Sequence, residues 1–224
     1  LKAILVLRCH TDFNQIVMII TLSYLLIFAI LCYTIFMEFV FLILILVFSV
    51  VFHEVSHGVV ANSLGDTTAR DAGRLTLNPV SHLDLMGSII VPAFLILMSQ
   101  IAGGGIIFGW AKPVPVNPQY LRDRRFGEAK VSLAGPVSNV ALALVFGLAL
   151  RFLPIEDIHQ NLAIIFQSIV YINLLLAAFN FLPIPPLDGS HILFSLLPRS
   201  MYRVKTFLQR YGLMLLFILI FFFF

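Results

Sequence analysis

The sequence predicts an all-α polytopic membrane protein of about five to six transmembrane helices, with a re-entrant or irregular segment near 87–110. Three observations lead there. Of the 224 residues, 60% are hydrophobic and 11% charged, against about 25% charged in an ordinary soluble domain. Mean hydropathy is +1.02, and no soluble fold of this size hides so much apolar surface. Finally, apolar runs recur at the length of about 20 residues that a helix needs to cross about 30 Å of hydrocarbon.

Each element follows in order. The first apolar block, 16–36, is too long for a secretory signal and lacks a small-residue cleavage site. A second span is expected over 39–64. The stretch "GSIIVPAFLILMSQIAGGGIIFGW", 87–110, is apolar enough to count as another, but Pro92 and the glycines 103–105 interrupt it, and such residues mark irregular backbone. Further spans are expected at 131–152 and 162–182. A last one begins near Tyr211 and reaches the chain end clipped. No internal repeat or linker divides the chain, so residues 1–224 read as one membrane-embedded domain with a catalytic core at about 39–197.

Positive charge orients these spans, because lysine and arginine concentrate in cytoplasmic loops. Lys2 and Arg8 precede the first span, and Arg70 and Arg74 follow the second. If 87–110 enters and leaves on one side, the loop holding Lys112, Arg122, Arg124, Arg125 and Lys130 stays with them. Arg199, Arg203, Lys205 and Arg210 then also lie inside, and the acidic connection with Glu156 and Asp157 lies outside. A crossing at 87–110 breaks this pattern. The net charge of +3 is small and scattered, which gives no footing for a nucleic-acid partner. Cys9 and Cys32 form no CxxC pair and read as ordinary apolar residues.

Chemistry enters at "HEVSH", 53–57, which directly follows an uncharged run, 39–52. Ionisable groups at membrane depth are costly and need partners or a task. On a helix, His53 and His57 stand at i and i+4, stacked on one face where both imidazoles can meet one ion. Glu54 lies beside that face, placed to take a proton from metal-bound water. Histidines merely packed in a bundle are the plain alternative, and the cost of placing them in lipid weighs against it.

A catalytic zinc site usually has three protein ligands and an open position. "FNFLPIPPLDGSH", 179–191, offers the third. Pro183, Pro185 and Pro186 break the helix, and Asp188 follows where a carboxylate can be aimed into a bundle. Asp188 alone reads as a turn residue or helix cap; beside HExxH the ligand reading is the stronger.

Taken together, "HEVSH", "AGPVSN" (134–139) and "FNFLPIPPLDG" (179–189) resemble the site-2 protease family of intramembrane zinc metalloproteases. "GRLTLNPVSHLD" (73–84) and "GWAKPVPVNP" (109–118) resemble its compact prokaryotic branch, which lacks PDZ and CBS domains. The likeness runs over about 45–197. It implies that His53, His57 and Asp188 bind one Zn2+ per chain, that Glu54 is the base, and that Asn139 helps hold the substrate or its oxyanion. Leu85 stands where this branch often has proline. The residues by themselves leave Asn139 open between that role and interhelical hydrogen bonding. Asn180 reads as structural. His82 with Asp84 reads as a solvated loop pair or as an entrance residue. The segment 109–118 reads as an edge for an unwound substrate strand or as a rigid connection.

The expected function is hydrolysis of peptide bonds in or near transmembrane segments of membrane proteins, in a cell membrane, with the active site toward the cytoplasm. A transmembrane protein substrate and the lipid bilayer are the expected partners. A membrane zinc-binding or transport protein is one alternative, and Glu54 argues against it. Another is an HExxH membrane hydrolase acting on lipidated substrates, against which Asp188 argues.

Overall fold

From residue 2 to residue 57 the chain contains neither glycine nor proline, so nothing local interrupts helical hydrogen bonding. In the computed structural model, which describes residues 2–102, 109–153 and 160–223, helix α1 accordingly runs unbroken over Lys2–Ser63. This corrects the expected division into spans 16–36 and 39–64. The polar interruption at Glu38 breaks the hydropathy run, but a glutamate is a good helix former and does not break the helix. The apolar part, Ile20–Ser63, is 44 residues long, about twice what one crossing requires.

The chain divides into two compact units, Leu1–Leu44 and Ile45–Phe224. The first is helical, with large side chains such as Leu22, Tyr24 and Phe28 exposed all around it, as expected of a helix whose solvent is lipid. Its threonines at 21 and 34 are satisfied within the helix: Thr21 donates to the Val17 carbonyl at 2.8 Å and Thr34 to that of Leu31 at 2.9 Å. The second unit holds nearly all of the expected catalytic core.

Beyond α1 come the short α2 (Thr68–Asp71), a 3-10 turn at Pro79–His82 and a π-helical turn at Leu85–Ile90. There follow α3 (Val91–Ala102), α4 (Gly127–Phe152), α5 (Gln160–Asn180), α6 (Asp188–Leu196) and α7 (Tyr202–Phe223). No strand occurs among the described residues. Among the described residues, four helices are long and apolar enough to cross a membrane: α1, α4, α5 and α7. The protein is an all-α polytopic membrane protein.

Two boundaries differ from expectation. Helix α4 begins at Gly127, before the expected 131, and carries Pro136 inside it. Helix α7 begins at Tyr202, not near Tyr211. Arg203, Lys205 and Arg210 are good helix formers whose long stems cover apolar surface, so charge does not end a helix there.

The segment 87–110 returns to its own start. Helix α3 has 12 residues and follows directly on the π-helical turn Leu85–Ile90, with Pro92 at their junction; the apolar helix they form, Leu85–Ser99, is shorter than the helices long enough to cross a membrane. Gly103–Gly105 lie outside the described residues. Beyond them, the Trp110 amide donates to the Gly87 carbonyl at 3.0 Å, and Ser88 Oγ donates to the Trp110 carbonyl at 2.8 Å. Gly87 is required here, because a Cβ would sit 2.3 Å from the Trp110 ring. Both ends of the segment therefore meet.

Helices α4 and α5 form the main packed pair of the second unit. Buried alanines lie on both, Ala143 on α4 and Ala163 and Ala177 on α5, the small residues that let membrane helices approach closely. Phe146 and Phe166 meet edge to face with centroids 4.9 Å apart.

Candidate metal centre

Three elements converge. Helix α1 brings His53 and His57 one turn apart, with rings 4.6 Å apart at 88° and Nε2 atoms 3.0 Å apart. The first turn of α6 brings Asp188, whose Oδ2 lies 3.0 Å from His53 Nε2 and 3.3 Å from His57 Nε2. The third, α4, supplies space. A Cβ on Gly135 would lie 2.5 Å from His57 Nε2 and 2.6 Å from His53 Nε2, so only glycine leaves room for what the imidazoles face. Gly189 does the same for α6: a Cβ there would stand 2.3 Å from the Phe181 carbonyl and 2.5 Å from that of Leu182. Without it, Asp188 could not come in against the end of α5.

Hydrogen bonding settles the tautomers. The Ile169 carbonyl can only accept, so the atom of Asn173 facing it at 2.9 Å is Nδ2. Asn173 Oδ1 then faces Asn139 and accepts from its Nδ2 at 3.0 Å. That leaves Asn139 Oδ1 against His53 Nδ1 at 2.7 Å, so His53 Nδ1 is the donor. The Val131 carbonyl likewise accepts from His57 Nδ1 at 2.7 Å. With both protons on Nδ1, both Nε2 lone pairs point at each other and at a carboxylate oxygen that has no hydrogen-bond partner. One proton can bridge only two of three acceptors; a metal ion takes all three.

The spacing fits zinc. Bonds of about 2.0–2.2 Å in a tetrahedron set ligand atoms about 3.3 Å apart, beside the 3.0–3.3 Å found here. Among the described residues, His53, His57 and Asp188 are the group of histidine, cysteine and carboxylate side chains able to hold such an ion.

The ligand atoms open on a cleft of about 370 Å³. Glu54 lines it, half-buried, with Oε2 accepting from the Val114 amide at 2.9 Å. Pro113, Val114, Val116 and Pro118 form one wall. This extended segment is held from behind. The Lys112 amide donates to the His82 carbonyl at 2.9 Å, Arg74 Nη2 donates to the Lys112 carbonyl at 2.9 Å, and the Asn117 amide donates to Asp66 Oδ2 at 2.6 Å.

Other candidate residues fall elsewhere. Asn139 is fully buried behind His53 and does not line the cleft. Asn180 lines it while its Nδ2 donates to the Leu176 carbonyl of its own helix at 3.0 Å. His82 is not a solvated partner of Asp84. It is 2% exposed, with Nε2 bonded to the Thr76 carbonyl at 2.8 Å, while Asp84 accepts from the Gly87 amide at 2.7 Å. Local sequence could not show this, since the partners are six and three residues away along an irregular turn.

Three residues were not singled out beforehand. Ser49 accepts from Asn173 Nδ2 at 2.9 Å, which extends the buried chain behind His53. Asp66 is wholly buried and holds Asn117 and Thr68. Burial alone would raise its carboxyl, but hydrogen bonds from Thr68 and the Asn117 amide outweigh that and hold it below the usual carboxylate range. The available signal was a polar residue at one position of an apolar run for Ser49 and Asn173, and a lone aspartate after Gly65 for Asp66; none of these names a partner.

Comparison with known proteins gives the family. The family model for peptidase family M50 matches residues 155–219, the part that contains Asp188. YwhC of Bacillus subtilis, named as a candidate zinc metalloprotease, is 36% identical over 185 residues, covering 80% of this chain and 79% of that protein. Rip2 of Mycobacterium tuberculosis, named likewise, is 36% identical over 141 residues, covering 63% of this chain and 51% of its own; the chain thus spans about half of Rip2. MJ0611 of Methanocaldococcus jannaschii, also so named, is 34% identical over 143 residues, or 64% of this chain and 63% of that protein. No solved structure gives a significant match.

Proposed function

The chain belongs to peptidase family M50, the site-2 family of zinc metalloproteases, and from that premise we propose that it is an endopeptidase cutting membrane proteins in or near their transmembrane segments. The observation that carries this reading is the convergence of three proton-free acceptors beside Glu54 at the floor of the cleft. His53, His57 and Asp188 would hold the zinc. Zinc at such a site supplies Lewis-acid polarisation of a carbonyl and lowers the pKa of water toward neutrality.

The chain's own residues do the rest. Glu54 takes the proton of the attacking water and returns it to the leaving amide nitrogen. The Val114 amide fixes one of its oxygens, so the carboxylate is oriented before substrate arrives. Asn139 acts through His53: it holds the ring in the tautomer that presents Nε2 and is a positioning residue, in place of the oxyanion contact that the resemblance implies. A substrate helix has every carbonyl hydrogen-bonded, so it must unwind locally to lie in the cleft. Support for a cytoplasmic opening comes from the basic residues of 112–130 and 199–210, which lie in segments flanking the cleft residues.

The test is cleavage of a model transmembrane substrate beside metal content of the purified protein. Glu54→Gln is expected to retain zinc and lose cleavage. Wild-type rates in that variant, or cleavage by wild type in the presence of chelator, would sink the reading.

A further inference from the structure

The cleft has a mouth as well as a floor, and its chemistry is one-sided. On α4, Glu128, Ser132, Gly135 and Asn139 share one face at helical spacing. Asn139 bonds His53, Gly135 lies against both imidazoles, Ser132 lines the cleft, and Glu128 lines it one to two turns further out. Helix α6 repeats the arrangement, with Asp188 at the metal centre and His191 lining the cleft three residues later. The two outer residues face each other, with His191 Nδ1 3.8 Å from Glu128 Oε2 and both side chains about half exposed, at 48% and 49%. That separation is too long for a hydrogen bond, and no other described residue bonds the Glu128 carboxylate.

Charge around the cleft is unbalanced. Its charged lining is Glu54, Glu128 and Asp188, with no lysine or arginine among the described residues. A divalent ion would offset Asp188 and Glu54, leaving Glu128 as the anion of the cleft with no lysine or arginine in the lining; its neighbour His191 is cationic only when protonated.

We propose that Glu128, facing His191 across the cleft mouth, is a specificity subsite that accepts a lysine or arginine side chain of the substrate. The inference rests on the proteolytic reading given above and adds a substrate preference to it. Seven residues of α4 separate Glu128 from Gly135, about 10 Å of helix at 1.5 Å per residue. An extended chain rises about 3.3 Å per residue, so the basic side chain stands about three residues from the bond cut. A carboxylate in the first turn of α4 also complements the helix dipole. That role would move stability and leave substrate charge preference untouched.

The experiment takes one cleavable transmembrane substrate and places lysine, glutamine or glutamate in turn at two, three and four residues on either side of the scissile bond. Wild type is expected to favour lysine over glutamine by about fivefold in kcat/KM at one of these positions, the upper size of a partly exposed ion pair. In Glu128→Gln the preference should vanish, and in Glu128→Lys it should turn toward glutamate. A flat wild-type series, or an unchanged lysine preference in both variants, overturns the proposal. A second arm measures binding of fluorescent lysine and glutamate peptides to Glu54→Gln protein and to the Glu54→Gln, Glu128→Gln double variant, where no cleavage is needed. If wild type cleaves no member of the series, the proteolytic reading fails, and the binding arm still decides: tighter binding of the lysine peptide that depends on Glu128 supports the subsite, and equal binding overturns it.

Discussion

The two sides of the metal centre solve the same problem differently. Behind the histidines, Ser49, Asn139 and Asn173 are buried and satisfy one another in a closed chain that ends on the Ile169 carbonyl. In front, Glu54, Glu128 and His191 line an open cleft, and the support comes from backbone, chiefly the extended wall 112–118. The buried side fixes which nitrogen carries a proton, and on the proposed reading would act on metal affinity. On the proposed reading, the open side leaves carboxylates free to exchange protons and meet a chain, and so would act on rate and selectivity. A buried polar network works only when every member is satisfied, whereas a cleft must keep some capacity unspent.

The largest expected effect separates the two sides outright. Asp188→Ala should lose both zinc and cleavage. Glu54→Gln should keep zinc and lose cleavage by about 10²–10⁴, the usual contribution of a positioned base. Zinc analysis of each purified variant, beside its rate, checks the division; loss of metal in Glu54→Gln would erase it.

Next comes the space between them. Gly135→Val should abolish stoichiometric zinc binding while the helix content seen by circular dichroism stays, because the first added carbon already lies 2.5 Å from an imidazole nitrogen. A variant that binds zinc normally would mean that α4 does not confine the ligand set.

Asn139→Ala probes the buried side more gently. Losing the acceptor on His53 Nδ1 should weaken zinc affinity by about 10–100-fold, as for other residues that orient metal ligands, read by competition with a chelator. A fall of about 10²–10³ in rate with zinc affinity unchanged would instead assign Asn139 to the oxyanion.

The smallest effect concerns the wall. Because the Asp66 carboxyl is held below its unfolded value in the native chain, its contribution is fully present above that value and is lost as pH falls through the native one. Thermal stability of the detergent-solubilised protein should therefore show an acid dependence below about pH 4 that is reduced in Asp66→Asn. Superimposable pH profiles would mean that Asp66 does not anchor the wall through its charge.

Much of the site was legible because its parts are local. His53 and His57 sit one helical turn apart whatever surrounds them, and Glu54 must then flank the pair. Asp188 was legible by chemistry, since two histidines require a third ligand and proline-broken backbone puts a carboxylate beside a break. The continuity of α1 was also written in its residues, in the absence of glycine and proline up to residue 57, but a hydropathy reading passes over it because polarity at Glu38 and helical propensity are separate properties.

Membrane character, helical class and the identity of the three candidate ligands were thus legible in sequence alone, since composition, period and coordination number depend only on residue type and spacing. Which nitrogen of each histidine faces Asp188, that Asn139 stands behind His53, and that Asp66 and Val114 hold the wall and Glu54 were decided only by tertiary structure. Asn139 lies 86 residues from His53, and Val114 lies 60 from Glu54. A hydrogen bond has a reach of about 3 Å and a preferred direction, so such pairs exist only once packing, at Gly135 and Gly189 above all, has brought the backbones within that reach.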